Sequence, residues 1–310
     1  VIKPAELTPL TALAAAELEA DSDPSAIEWL WILHDDSAPE PRALRELLKV
    51  ADRHPHASVI GAKVTGWRDP NHVLEVGTAY TAIGTRFTGL EHGERDQGQH
   101  DSVKSVMAVN SAGMLVRRET WRALNGFSNQ LDHFRTDHEF CLRVWENGGE
   151  VLVAPGARIR HAAATARGMR RVAGHRGTPH FIDRYAGLMV SLSRTPRGWL
   201  WLRWLLVALA GGVRALGYLA LQDLRGARDE FSATAAALGS RRKVLMMRRH
   251  AGSGSVPREL RPSFKQQFSY VATEVLSTVN QTWHNALDWL MPERVHVGEV
   301  GFWQAFRAAI

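Results

Sequence analysis

A single cysteine, Cys141, stands in the whole chain of 310 residues, so no disulfide can form within it. It lies in an apolar-periodic stretch, which reads as a small core thiol rather than a nucleophile, and a reducing compartment is compatible with it. The first twenty residues lack the charged n-region and long apolar h-region of a signal peptide. An initiating methionine is missing, and residues 301–310 carry no helix terminator, so the sequence is expected to be a piece of a longer protein. Low-complexity tracts and internal repeats are also missing. Composition therefore places the chain among globular proteins long enough to bury an ordinary core.

What the chain has in excess is positive charge, +6 at neutral pH. Nucleic acid, anionic lipid and a phosphorylated substrate would each suit that charge, as would the arginine bias of a GC-rich bacterial genome. A nucleic-acid module needs basic residues interleaved with aromatics on one face. Here the basic run Arg241-Arg242-Lys243 and Arg248-Arg249-His250 instead follows an apolar segment, so no nucleic-acid partner is expected.

Periodicity divides the chain. Leu7, Leu10, Leu13, Ala14 and Leu18 predict a helix over 4–20, ended by Asp21-Ser22-Asp23-Pro24. Residues 28–33 (EWLWIL) form a short apolar run, as in a buried strand of a parallel sheet, and stop at His34-Asp35-Asp36-Ser37. Leu44, Leu47, Leu48 and Ala51 mark an amphipathic helix, and 58–64 (SVIGAKV) a second strand, completing a βαβ unit. The polar, Gly-rich stretch 65–105 predicts loops with short edge strands. Strand, small-residue turn and strand follow over 106–117, then a short helix over 119–124 closed by Asn125-Gly126. A helix over 137–147 ends at Gly148-Gly149. Residues 150–154 and 157–161 read as two strands around a Pro155-Gly156 turn, and 162–182 as a mobile loop. A helix spans 183–193, and 198–222 is apolar and Trp-rich, interrupted by Arg203 and Arg214. A last amphipathic segment reaches about Met291.

Two adjacent carboxylates directly after a buried strand allow two readings. Ligands of α/β sheets bind at the carboxyl ends of strands, and fixed carboxylates there suit a divalent cation. Alternatively, Asp35 or Asp36 caps the helix that follows. Asp137 likewise reads as a plain helix cap, Glu139 and Arg143 as an ordinary i,i+4 ion pair, His161 as a surface histidine, and Asn110 and Ser111 as strand packing.

The order of these parts is more specific than any one of them. The segment WLWILHDDSAPEPRALREL resembles the metal-binding region of family 2 glycosyltransferases, where a strand ends in an acidic DxD-type triplet before a proline-containing turn and a helix. His34-Asp35-Asp36 occupies the triplet, with His34 in place of the commoner acidic residue. The segment FRTDHEFCLRVWENGGEVLVAPGARIRHAAA is similar to the family's second signature, and VNSAGMLVRR to the small-residue stretch between them. Gly126-Phe127-Ser128 stands where Gly-Phe-Asp is usual, and Thr136 replaces the acid that often precedes the base.

The resemblance implies a GT-A-like α/β fold, a Rossmann-like mixed sheet lacking its first part, followed by a helical membrane-associated extension. It implies Asp137 as catalytic base and Asp36, His161 and Asp35 as metal residues for Mn²⁺ or Mg²⁺. His34, Asn110, Ser111, Glu139 and Arg143 would contact donor or acceptor. The activity implied is inverting transfer from a nucleotide diphosphate-sugar to a cell-envelope glycan or lipid-linked acceptor at the cytoplasmic face of the cell membrane. A membrane-anchored scaffold that keeps the fold without the chemistry is the alternative. The expected regions are an N-terminal remnant over 1–26, a catalytic region over 27–165, a basic loop and helix over 166–197, a spanning or interfacial helix over 198–225, and a helical tail over 226–310.

Overall fold

The computed structural model describes residues 28–91, 93–131, 133–169, 177–263 and 265–267. The helix expected over 4–20, part of the loop over 162–182 and most of the segment reaching Met291 lie outside these residues.

A mixed sheet forms the centre. Its strand order is β1 (Trp29–Leu33), β8 (Gly113–Arg117), β3 (Ala57–Gly66), β9 (Glu150–His161) and β2 (Ser37–Pro39). Two short strands pair beside it, β4 (Val73–Glu75) on β3 and β7 (Lys104–Ser105) on β9. A separate ribbon joins β5 (Ala79–Tyr80) to β6 (Arg86–Phe87). The run SVIGAKV is apolar because β3 is central and buried throughout. Its one cation, Lys63, is 1% exposed and is neutralised by Asp96 and Asp101 at 3.0 and 2.6 Å. Two glycines permit close packing across the sheet. A Cβ on Gly61 would stand 2.3 Å from Val109, and one on Gly113 would stand 2.1 Å from Ile159.

Both faces of the sheet are covered. Helix α1 (Ala43–Arg53) buries Ala43, Leu47, Val50 and Ala51 in a cluster with Ile60, Leu115 and Leu152. Helix α2 (Arg118–Ala123) ends at Asn125 and Gly126, which take left-handed φ of 55° and 61°. Helix α3 (Thr136–Glu146) brings Phe140, Cys141 and Val144 to the other face, against Val59, Met114 and Val151. Buried Cys141 is the core thiol expected, its pKa raised by burial.

Two expectations are corrected. The strands β1 and β3 flanking α1 are not neighbours, because β8 lies between them and runs antiparallel to both. Residues 150–161 form one strand rather than two. Pro155-Gly156 is accommodated as a bulge where the parallel β3–β9 register shifts, so β9 continues to His161.

Helix α4 (Pro179–Ser193) begins earlier than expected, with Thr178 Oγ1 accepting from Phe181 N at 3.1 Å and Pro179 in the first turn. After the short turn Arg197–Trp199 come α5 (Leu200–Ala220), α6 (Leu224–Gly239) and α7 (Arg241–Arg249). These helices share a core with the sheet region: Leu188, Met189, Val207, Val244 and Met247 cluster with Met107, Leu131 and Leu142.

Candidate functional site

Pairing of β2 with the end of β9 sets Ser37 opposite His161, and so draws the turn between β1 and β2 over the last residue of β9. Ser37 Oγ donates to His34 O at 2.7 Å and accepts from His34 N at 3.0 Å, which fixes that turn. Ala162 N donates to Asp36 O, and Ala164 N donates to Asp36 Oδ2 at 2.8 Å. The result is a corner of three ring and carboxylate atoms. His34 Nδ1 is 3.4 Å from His161 Nε2, His161 Nε2 is 3.2 Å from Asp36 Oδ1, and Asp36 Oδ1 is 3.9 Å from His34 Nδ1.

Those three atoms suit a cation. The point in their plane equidistant from them lies about 2.0 Å from each, close to the bond length of imidazole nitrogen and carboxylate oxygen to a first-row divalent metal. The charge states of Asp36 and His34 agree with this. The hydrogen bond to His161 and the Ala164 N–H together outweigh burial and hold the Asp36 carboxyl well below the usual carboxylate range. Burial and the neighbouring His161 lower the pKa of His34 against the raising effect of Asp137, Asp36 and Asp35, which favours a neutral ring with a lone pair to offer.

Ser111 joins this corner to a second one. Its Oγ lies 2.9 Å from His34 Nε2, and its backbone N–H donates to Asp137 Oδ2 at 3.2 Å. Asp137 stands in the first turn of α3, where the left-handed Arg135 (φ 66°) swings the chain into the helix. Its Oδ1 accepts from His138 N at 2.8 Å and faces His138 Nδ1 at 3.2 Å, while His138 Nε2 faces Thr78 Oγ1 at 2.8 Å. Burial would raise the Asp137 pKa, but His138 and the nearby Arg86 charge prevail and hold it well below the carboxylate range. Burial lowers the pKa of His138, so its neutral ring can donate to Asp137 and accept from Thr78. Arg86, on β6, pairs with Glu75, whose Oε1 also accepts from Asn110 Nδ2 at 2.7 Å. Arg135 grips Asp183 of α4 through two bonds at 2.6 and 2.8 Å, tying the helical part to the site.

The structure thus brings His34, Asp36, Ser111, Asp137 and His161 into one connected cluster, with Asn110 beside it. His34, expected to contact donor or acceptor, stands in the cation corner. Asp35 is exposed on the same turn and is not among the three atoms that form the corner. Glu139 and Arg143, expected to contact donor or acceptor, are engaged by groups of the protein itself. They form a buried ion pair at 2.9 Å, Arg143 donates to the carbonyls of Leu124 and Gly126, and Glu139 also pairs with Arg194 at 3.0 Å. Glu139 is 1% and Arg143 4% exposed. Sequence reading missed Arg86, Glu75, Thr78, His138 and Asp183. His138 adjoins Asp137 within the quoted motif, whereas nothing local to the Gly-rich stretch singled out Glu75, Thr78 or Arg86.

A family model described as Glycosyltransferase like family 2 matches residues 12–173. Among solved structures, one similar chain is GalNAc-T7 with UDP, GalNAc and Mn²⁺, at 12% identity and TM-score 0.42 over 74% of this chain and 43% of that one. Another is the mannosyltransferase PcManGT from Pyrobaculum calidifontis in complex with GDP-Man and Mn²⁺, at 13% identity and TM-score 0.37 over 94% and 70%. The present chain therefore spans less than half the length of the first of these. A comparison with curated proteins gives no match.

Proposed function

From a chain that belongs to glycosyltransferase-like family 2 and has a GT-A-type mixed α/β fold, we propose metal-dependent, inverting transfer of a sugar from a nucleotide diphosphate-sugar to a cell-envelope acceptor. The acceptor would be a glycan or lipid-linked glycan, reached at the cytoplasmic face of the cell membrane. The single observation that carries this reading is the pair of corners joined by Ser111, a cation corner and a partly buried Asp137 whose carboxyl is held well below the usual carboxylate range.

His34, Asp36 and His161 would hold the cation. Two imidazoles and one carboxylate favour Mn²⁺ over Mg²⁺, whose preference is for oxygen. When bound, the cation supplies positive charge against which a leaving diphosphate is stabilised. Asp35, exposed on the same turn, is the residue proposed to contact the donor sugar or ribose.

Asp137 receives the proton of the acceptor hydroxyl. Inversion requires that hydroxyl to attack the anomeric carbon from the face opposite the leaving group. A carboxylate held so far below its ordinary pKa is a weak base towards a resting alcohol. Proton transfer therefore runs with bond formation, as the attacking oxygen becomes acidic. His138 and Ser111 N–H fix the carboxylate in one orientation, and Arg86 keeps it charged before the acceptor arrives.

The regions proposed are an N-terminal remnant over 1–26, a catalytic region over 27–165, a basic loop and helix over 166–197, a spanning or interfacial helix over 198–225 and a helical tail over 226–310. Within them the helices from α4 onward pack on the catalytic region as one body. The test is transfer by the full-length protein from a panel of UDP-, GDP- and dTDP-sugars into membrane extracts with Mn²⁺, with the product anomer read by NMR. Product of inverted configuration is the expected result. No transfer from any donor by protein that binds Mn²⁺ would sink the proposal, as would a retained configuration.

A further inference from the structure

Among the described residues, one side of helix α5 is unpartnered along its whole length. Trp201, Leu205, Leu209, Val213 and Leu216 stand on that side about one per turn, Trp201 and Val213 each 69% exposed. The opposite side is buried at Val207, Gly211 and Ala215. It meets α6 so closely that a Cβ on Gly211 would stand 2.5 Å from Thr234 Oγ1. Both charges of α5 are turned away from the stripe: Arg203 donates to Ala82 O at 2.6 Å, and Arg214 pairs with buried Glu230 at 3.3 Å. A soluble helix rarely presents so long an apolar surface free of charge.

The stretch Arg197–Ala220 is long and apolar enough to cross a membrane. Its attachments oppose a crossing. After the short turn at 221–223, α6 runs along α5 and carries exposed Arg225 and Arg228. Glu230, fully buried, clamps α6 to Arg184 of α4 as well as to Arg214. A crossing α5 would draw these charges and the Ala82 loop of the catalytic region into hydrocarbon, where neither ions nor irregular backbone are tolerated. A helix lying flat needs none of this. The Trp end also has matching charge: exposed Arg197 adjoins exposed Trp199, and Arg248 of α7 is held at the same end by donating to Thr195 O. Indole rings beside arginines are the composition that anchors a segment at the headgroup level of an anionic leaflet.

Resting on the membrane-facing part of the reading above, we infer that α5 is an in-plane anchor. Its apolar stripe sinks into the acyl boundary of an anionic bilayer, and Arg197 and Arg248 meet the headgroups at its Trp end. The catalytic region, held through Arg203 and Glu230, is thereby kept at a fixed height over the membrane, where a lipid-linked acceptor would be presented.

Flotation with vesicles of equimolar phosphatidylcholine and phosphatidylglycerol tests this. The full chain is expected to co-float and to be released by alkaline carbonate, as an interfacial helix is and a spanning one is not. Leu209→Glu with Val213→Glu, both at exposed positions, is expected to lower the floated fraction at least about tenfold while circular dichroism stays unchanged. Failure of the wild-type chain to float, retention after carbonate, or a dimer in light scattering that the double variant abolishes would each overturn the inference. Mn²⁺ binding followed by electron paramagnetic resonance in the same samples keeps the outcomes separate. Its loss in the wild type counts against the proposed catalytic site and leaves the surface unaffected.

Discussion

Ser111 is the residue on which the two halves of the site depend. Its hydroxyl lies within hydrogen-bond distance of one nitrogen of His34 and its backbone N–H donates to Asp137. A partner on the remote nitrogen fixes the tautomer of a ligating histidine and its orientation, and loss of such a partner weakens metal affinity by about 10–100-fold. Ser111→Ala is therefore expected to raise the Kd for Mn²⁺ by about that factor, measured by titration calorimetry. An unchanged Kd would place His34 outside the ligand set. Asp137→Asn tests the other half. It keeps the shape of the side chain and removes its basicity, so donor binding is expected to persist. Transfer by the full-length protein should fall by about a hundredfold to ten-thousandfold, the usual contribution of a positioned base. Activity within a few-fold of wild type would remove Asp137 from that role.

Among the elements, α3 shows how a motif residue can belong to the scaffold. Glu139 neutralises both Arg143 and Arg194, and Arg143 in turn satisfies the carbonyls that end α2. Glu139→Ala leaves the buried guanidinium of Arg143 without its counterion and Arg194 with Glu146 alone. It is expected to lower unfolding stability by about 3–5 kcal/mol in urea, the cost of breaking a buried pair. Mn²⁺ affinity of the folded fraction should stay unchanged, whereas a ligand-binding Glu139 would show the reverse pattern. The elements most legible in the sequence were those defined by their own periodicity: the apolar run of β1, the stripe of α1, and α3 with its glycine end. Partner choice was not legible, because the insertion of β8 between β1 and β3 depends on packing such as Gly113 against Ile159, far apart in the chain. The bulge at Pro155-Gly156 was read as a turn for a related reason, since only pairing with β3 carries the strand through it. Asp36, Asp137 and His161 could be found because they end or begin periodic elements. Arg86 and Glu75 could not, because β4 and β6 are two or three residues long and hold their places through contacts rather than through pattern.

On the scale of the whole molecule, the cation corner closes a long loop of chain. His34 and Asp36 follow the first described strand, while His161 ends the last one, and β2 is the short strand that registers them. The helices after α4 are tied to the same body, through Arg135 and Asp183 on one side and through the shared core on the other. Occupation of the corner should therefore stabilise the body as a unit and not only the turn. A ligand that binds the folded state alone adds RT ln(1 + [L]/Kd), about 2.7 kcal/mol at a hundredfold excess over Kd. For a body of this size each kcal/mol moves Tm by about 2–4 °C, so saturating Mn²⁺ is expected to raise Tm by roughly 5–10 °C. Chelation by EDTA should reverse the rise, and Mg²⁺ at the same concentration should produce a smaller one because two of the three donors are imidazoles. In Asp36→Ala the shift should vanish while the unfolding transition stays cooperative, which separates loss of the cation from loss of the fold. A shift that survives in Asp36→Ala would mean that the stabilising ion sits elsewhere, and the three-atom corner would lose its role whatever its dimensions.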